Sequence, residues 1–269
     1  MKTVGKALRI LDLFTEESPV LALRDITLAT GLDKATCHRM LKEMALHGYV
    51  EQSAETRKYS LGATLIRLAR AREVSMPISK ALQLCTDRLV EETGETCHAS
   101  LIAGMQIATV AVRDGTRQNR VHVDAGGRIE PHATATGMAC LGFAPDDFVQ
   151  AALSAPMSAY SATTATTPEA LMRLIEGVRA RGYGLSDGSF DPECIGLGAP
   201  VFGPKGYAIG ALAVATPASR MTPDLIPSTA AAVMRWAIRV SVNTGGIVPK
   251  GYLALMSAIE TPLLAEAKP

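Results

Sequence analysis

Lys34-Ala35-Thr36-Cys37-His38-Arg39-Met40-Leu41-Lys42-Glu43-Met44-Ala45-Leu46-His47, bracketed by Asp33 and Gly48, is the stretch on which the fold turns. Asp33 is a residue that caps helix N-termini and Gly48 one that ends them, so the spacing predicts a single helix from Lys34 to His47. Successive residues of a helix are turned by about 100°. With Leu41 set inward, Cys37, Met40, Met44 and Ala45 fall in or beside the buried arc. Ala35, Thr36, Arg39 and Lys42 fall on the far side, with His38 at the border. That far side carries the chemistry needed to read a duplex. The Arg fork matches guanine O6 and N7, Thr meets a phosphate or a thymine methyl, Lys neutralises phosphate, and a small Ala permits close approach. A helix with one apolar and one polar face is more often a plain surface helix, so its neighbours have to carry the argument.

Upstream, Arg24 to Thr30 places Ile26 and Ala29 on one side and stops at Gly31, a residue that tolerates the left-handed conformation. Two short helices around a glycine turn have helix-turn-helix spacing. Before them, Ala7, Leu8, Leu11 and Phe14 recur at helical spacing, and that helix ends ahead of Ser18-Pro19. Downstream, Tyr49–Gln52 and Lys58–Leu61 alternate apolar and polar around the polar turn Ser53–Arg57, the pattern of a hairpin or wing. From Ala63 to Glu73, Leu65, Ile66, Leu68 and Ala69 interleave with arginines, predicting a helix that links two domains.

The chain has 269 residues, with 27 Lys and Arg against 26 Asp and Glu, so no global basic field draws it to nucleic acid or membrane. The balance is local. Residues 1–73 hold 12 basic and 9 acidic side chains, a surplus of three, while the remainder hold 15 and 17. Glycine shifts the other way, with 19 of 23 after Glu73, among short strand-like runs. No apolar run reaches the roughly 18 residues of a membrane span, and the N-terminus lacks a signal-peptide pattern, so a cytoplasmic location is expected. The 5 cysteines are odd in number and form no CxxC pair, which points to buried thiols rather than disulfides or zinc.

After Glu73 the pattern predicts a helix at Ser79–Thr93 and strands at Thr96–Ala103, Gln106–Arg113 and Arg120–Asp124. Short helices follow at Thr136–Phe143 and Phe148–Leu153, then a helix opened by Pro168 that runs to Arg181. Strands at Gly182–Ser186, Ile195–Phe202 and Ala208–Thr216 precede a long helix from about Pro223 to Asn243. Helices at the ends and paired strands between them make an α+β domain with an antiparallel sheet. Beyond Gly245-Gly246, the residues 248–269 read as a C-terminal tail without an identifiable partner.

Residues 4–250 resemble the IclR family of bacterial transcription regulators. The resemblance rests on Val4–Leu11, Ala29-Thr30-Gly31-Leu32, Ala35–Leu41 and Gly48-Tyr49-Val50, and later on Pro131–Gly137, Arg181-Gly182-Tyr183, Ala199–Phe202 and Ala211–Val214, in the family's order. It implies a winged helix-turn-helix DNA-binding domain over 1–62, with the helix-turn-helix at about 24–43 and the wing at 49–61. A linker helix over 63–73 and a GAF-like effector-binding domain over 74–247 follow. It further implies a double-stranded DNA operator, a small-molecule effector and a homodimer or homotetramer. The family's DNA contacts carry over to Thr36, His38 and Arg39, with Lys34 and Ala35 beside them and Arg57 on the wing, and the outward face of the helix adds Lys42. By family spacing the effector pocket is lined by Ser100, Ala135, Thr136, Ser186, Gly196, Ala213 and Ala215. Gly196, Ala213 and Ala215 stand where members that bind small oxoacids often carry Cys and Ser, and Ser189 replaces a frequent acidic residue. These departures imply a roomier, less polar pocket suited to an aromatic or medium-length aliphatic acid.

Other chemistry is poorly supported. Cys97 and His98 are strand neighbours that point to opposite faces, against a nucleophile and base. His122, His132 and Cys140 lack zinc-like spacing, and neither GxxxxGK[ST] nor GxGxxG occurs. The expectation is therefore no catalytic residue, no cofactor and no metal. Two rivals remain at this level. One is a cytosolic small-molecule-binding protein or enzyme whose winged helix contacts protein, the other a constitutive DNA-binding protein with an empty sensor domain.

Overall fold

The computed structural model of the protein describes residues 3–15, 18–75 and 78–266. The chain divides into two compact units, Met1–Met76 and Pro77–Pro269.

The first unit runs α1 (Thr3–Leu11), β1 (Val20–Leu21), α2 (Leu23–Thr30), α3 (Lys34–Leu46), β2 (Val50–Gln52), β3 (Tyr59–Leu61) and α4 (Thr64–Ser75). Ile10, Ile26, Cys37, Leu41 and Val50 meet in its core. Each fully buried Ile or Leu there contributes about 1.5–3 kcal/mol, which is what holds α1, α2 and α3 together. The hairpin gains a third strand that the pattern did not predict: β1 pairs with β3, which also pairs with β2, all antiparallel. Leu8, expected inward, is exposed, and α1 ends at Leu11, leaving Phe14 to reach the core from the following turn.

The second unit runs α5 (Ile78–Thr93), β4 (Thr96–Ala103), β5 (Gln106–Arg113), β6 (Arg128–Ile129), α6 (Ala135–Phe143), α7 (Asp146–Ser154) and α8 (Pro168–Arg181). It continues with β7 (Gly184–Asp187), β8 (Cys194–Phe202), β9 (Ala208–Pro217), α9 (Leu225–Asn243) and α10 (Lys250–Glu266). The six strands form one sheet in the order β6-β5-β4-β9-β8-β7, antiparallel throughout. On β9, Ala213 and Ala215 face α6, while Thr216 faces Thr93 of α5 and Ala232 of α9. Neighbouring strand residues point to opposite faces, so α5 and α9 cover one face of the sheet and α6 the other.

Three details depart from the sequence pattern. Residues 120–124 are not a strand; their segment is tied down by side chains, Thr96 Oγ1 donating to the Val121 carbonyl at 2.7 Å and Arg220 to that of Asn119 at 2.9 Å. The edge strand is β6 instead. The strand expected from Gly182 starts at Gly184, because Gly182 takes φ 89° as the left-handed cap of α8. Most of the expected tail is the helix α10, Lys250–Glu266; residues 267–269 lie outside the described residues. A Cβ on Gly246 would stand 1.9 Å from the Phe202 carbonyl, so only glycine brings the chain this close to the sheet. Tyr252 then packs edge-on against Phe143 and Phe202, at centroid distances of 5.2 and 4.9 Å. Among the described residues no helix is long and apolar enough to cross a membrane.

Candidate functional site

Helix α3 begins where Asp33 accepts the Thr36 amide at 2.8 Å. That bond holds the Asp33 carboxyl below the usual carboxylate range, keeping it ionised against the positive end of the helix. Cys37, Met40, Leu41 and Met44 are buried. Lys34, Ala35, His38, Arg39 and Lys42 are exposed and Thr36 is half-buried, so one unobstructed face carries the six candidate side chains. Arg57 is exposed at the tip of the wing, with φ 58°, a left-handed conformation uncommon outside glycine. Its carbonyl accepts from Gln52 Nε2 at 2.9 Å and its amide donates to Ser53, bonds that hold the turn in shape.

The start of α4 is fixed to the end of α3. Thr64 donates through its hydroxyl to the His47 carbonyl at 3.0 Å and through its amide to that of Gly48 at 3.1 Å. Gly62 donates to Tyr49, and a Cβ on Gly62 would stand 2.2 Å from the Gly48 carbonyl, so two glycines allow the contact. On α4 itself, Ile66 and Leu68 are exposed.

In the second unit a cavity of about 210 Å³ opens between α6 and the sheet. One ordered water needs only about 10–15 Å³, so the space suits a small molecule. Ala135, Thr136, Ser186, Gly196, Ala213 and Ala215 all line it. They come together because β7, β8 and β9 are paired so that Ser186 lies beside Gly196 and Gly196 beside Ala215, while Gly196 lets Ala135 of α6 approach. Ser186 is itself committed, donating to the Ala133 carbonyl at 3.0 Å and bonding Ser189 at 2.8 Å.

Ser100 does not line this cavity. The β4–β5 register shifts between Ala99 and Ser100, which sets Ser100 opposite Thr109; the two hydroxyls are 3.4 Å apart, and Thr109 reaches the cavity instead. The residue that the family spacing missed on this strand is His98. It lines the cavity with its Nε2 2.7 Å from Thr136 Oγ1, and burial alone holds its pKa down at about 4, so the ring is neutral. The alternation that separates it from Cys97 was the signal for its position. The segment Val121–Asp124 and Phe190, Asp191 and Cys194 also line the cavity. Burial pushes the Cys194 thiol up to about 12, so it stays protonated. Among the described residues no Lys or Arg lines the cavity, and no group of three His, Cys, Asp or Glu is placed to hold a metal ion. His122 is exposed beside Asp124, whereas His132 is buried with its Nε2 2.8 Å from the Ser158 carbonyl.

A winged helix-turn-helix in one unit and a ligand-sized cavity in the other define a DNA-binding regulator that answers to a small molecule. Comparison with known proteins supplies the family. Residues 3–54 match the IclR helix-turn-helix domain and residues 70–242 the bacterial transcriptional regulator IclR C-terminal domain. The chain is 30% identical over 226 residues to the HTH-type transcriptional regulator XynR of Escherichia coli K12, covering 82% of this chain and 88% of that protein. A candidate IclR transcriptional regulator from Silicibacter sp. TM1040 superposes with a TM-score of 0.84 at 37% identity, over 93% of this chain and 99% of that one. An IclR homolog from Microbacterium hydrocarbonoxydans, crystallised with 4-hydroxybenzoate, shares the fold with a TM-score of 0.73 at 21% identity, over 90% and 99%. The chain belongs to the IclR family of bacterial transcriptional regulators, with that family's N-terminal DNA-binding and C-terminal effector-binding domains.

Proposed function

We propose that the α3 face formed by Lys34, Ala35, Thr36, His38, Arg39 and Lys42, with Arg57 on the wing, reads an operator in double-stranded DNA, and that the cavity beside α6 binds the effector. The protein acts in the cytoplasm, as a homodimer or homotetramer. Its copies meet through the exposed apolar residues of α4, and the operator is an imperfect palindrome. No catalytic step is assigned to any residue.

The observation that carries the effector class is the cavity lining. Its apolar wall of Ala213, Ala215, Ile129, Val121 and Phe190 favours a hydrocarbon or aromatic body. Its polar end is the first turn of α6, where Thr134 takes the Gly137 amide at 3.1 Å and the Ala135 and Thr136 amides belong to the turn that has no intrahelical acceptor. Such a turn favours negative charge. Asp124 and Asp191 in the wall, with no Lys or Arg beside them among the described residues, disfavour a second carboxylate. The effector is therefore a monocarboxylic acid with an apolar or aromatic body, a class to which the 4-hydroxybenzoate held by the fold neighbour belongs.

The test is a mobility shift on DNA upstream of the protein's own gene, with benzoate, 4-hydroxybenzoate and hexanoate as probes. At least one is expected to change the affinity of the parent. Ala215→Leu fills the cavity opposite Gly196, which has no side chain to collide with, and is expected to retain operator binding while losing the response by tenfold or more, about 1.4 kcal/mol. An unchanged response places the effector elsewhere.

A further inference from the structure

His98 and Thr136 are both buried, 8% and 1% exposed, and their contact has one favourable arrangement of protons. Nε2 of His98 lies 2.7 Å from Thr136 Oγ1, while Nδ1 has no hydrogen-bond partner among the described residues. The ring is neutral, so a single nitrogen carries a proton. A proton on Nδ1 would leave a buried N–H without an acceptor, which folded proteins avoid more strictly than an unpaired acceptor. A proton on Nε2 is donated to Thr136 and leaves only a lone pair unmatched. A hydroxyl that accepts from His98 keeps its own hydrogen for a different acceptor. Thr136 stands in the cavity wall, in the first turn of α6.

We infer that His98 is a positioning residue that fixes the Thr136 hydroxyl as a hydrogen-bond donor, so that the cavity selects a ligand presenting an acceptor oxygen to the start of α6. The selectivity rests on the effector reading given above; the proton arrangement does not. A carboxylate or carbonyl head group meets the hydroxyl hydrogen together with the free amides of the helix turn. An ammonium head group brings donors to the donors of that turn and finds there only the second lone pair of the Thr136 hydroxyl. Ala213 belongs to the same device. It is the direct partner of His98 across β4 and β9, and facing side chains of such a pair stand about 5 Å apart at Cβ. A small residue at this position leaves the imidazole its volume.

The proton arrangement is tested without any ligand. The full chain, labelled with 15N in its histidine rings, is examined at neutral pH by long-range proton–nitrogen correlation, with His98→Gln identifying the signal. The pattern expected is that of Nε2–H; an Nδ1–H pattern overturns the inference. The selectivity is tested by calorimetry with benzoate and benzylamine as probes. The parent is expected to bind benzoate at least tenfold more tightly than benzylamine, and equal or tighter binding of benzylamine overturns the selectivity. Thr136→Val and His98→Met are expected to lose tenfold or more in benzoate affinity, the size of about one hydrogen bond to a charged acceptor. Thr136→Ser keeps the hydroxyl and His98→Gln keeps an N–H near the Nε2 position, and both are expected to stay within about threefold of the parent. Equal losses in His98→Gln and His98→Met overturn the donor role. If the ring shows Nε2–H but neither probe binds, the selectivity and the effector class fall together while the proton arrangement stands.

Discussion

The face of α3 is drawn from one short run of sequence, whereas the cavity gathers His98 from β4, Thr136 from α6, Ser186 from β7, Gly196 from β8 and Ala213 from β9. The difference decides how each responds to change. On α3, helix geometry alone points Lys34, Arg39 and Lys42 outward once Leu41 is buried, and replacing one leaves the others in place. In the cavity every position depends on strand register and on the close seat of α6, and a change at one wall is transmitted to the rest. The α3 face should therefore answer to substitution one residue at a time, and the cavity as a unit.

Acid gives the largest expected effect and separates the two regions. His98 is held neutral at about 4 in the folded protein against an ordinary 6.5, while His38 and His47 of the first unit are exposed. Its neighbours Thr136, Ala213 and Val112 do not titrate. Between these two pKa values the unfolded chain binds a proton that the folded chain refuses, so the stability that His98 contributes is whole above pH 6.5 and is lost as the pH falls toward 4. The loss reaches about 3 kcal/mol at the acid end. Denaturant melts at stepped pH should show that slope in the parent and its reduction in His98→Gln. An identical slope in both would remove His98 as the cause.

The second test probes the independence of the α3 residues. Arg39→Ala is expected to weaken operator binding by about 2 kcal/mol and relax base preference at one position. Lys42→Ala should weaken operator and scrambled DNA alike and lower the salt slope by about one. Mobility shifts with both DNAs at several salt concentrations distinguish them, and equal loss on both DNAs for Arg39→Ala would refute base reading by that residue. Arg39 and Lys42 stand three residues apart on one helix, so the departure of the double variant from the sum of the two measures their coupling.

These two regions also differed in how much of them was legible beforehand. Asp33, Gly48 and the spacing of Cys37, Met40, Leu41 and Met44 are local signals, and local signals suffice for a helix and its faces. The strand β1 escaped because two residues carry no period to detect. In the second unit five of the six sheet strands followed from alternation and small residues, the edge strand β6 being missed, and six of the cavity-lining residues followed from family spacing. The place of Ser100 did not, because a register shift between β4 and β5 is settled by packing across strands and leaves no mark in either strand alone. The helix α10 was hidden for a related reason: the Gly245-Gly246 pair looks like a stop, whereas its work is to let the chain pass against Phe202 and re-enter the fold.

The smallest expected effect sharpens the claim that the cavity moves as a unit. Glu95 is nearly buried and receives Arg220 in a two-pronged bond, 2.6 Å at each oxygen, which raises the guanidinium pKa above its ordinary value. The same Arg220 reaches the Asn119 carbonyl at 2.9 Å, so one side chain ties the segment before Val121 to the sheet. That segment supplies Val121, His122, Val123 and Asp124 to the cavity wall. Arg220→Met keeps the apolar stem but leaves Glu95, among the described residues, with Arg117 alone, 3.6 Å away. Removing one partner of a fully buried pair costs about 3–5 kcal/mol; Arg220 retains some exposure, so a loss of about 1–2 kcal/mol in stability is expected. The more telling readout is local. Amide exchange of residues 119–124 should quicken and the effector response should weaken, although Arg220 itself stands outside that cavity's lining. Operator affinity without effector should remain that of the parent, because Arg220 belongs to the second unit and the α3 face to the first. Quickened exchange with an untouched effector response would show that the wall at Val121–Asp124 is dispensable, and the cavity would then have to be regarded as a set of separable contacts, much as the α3 face is.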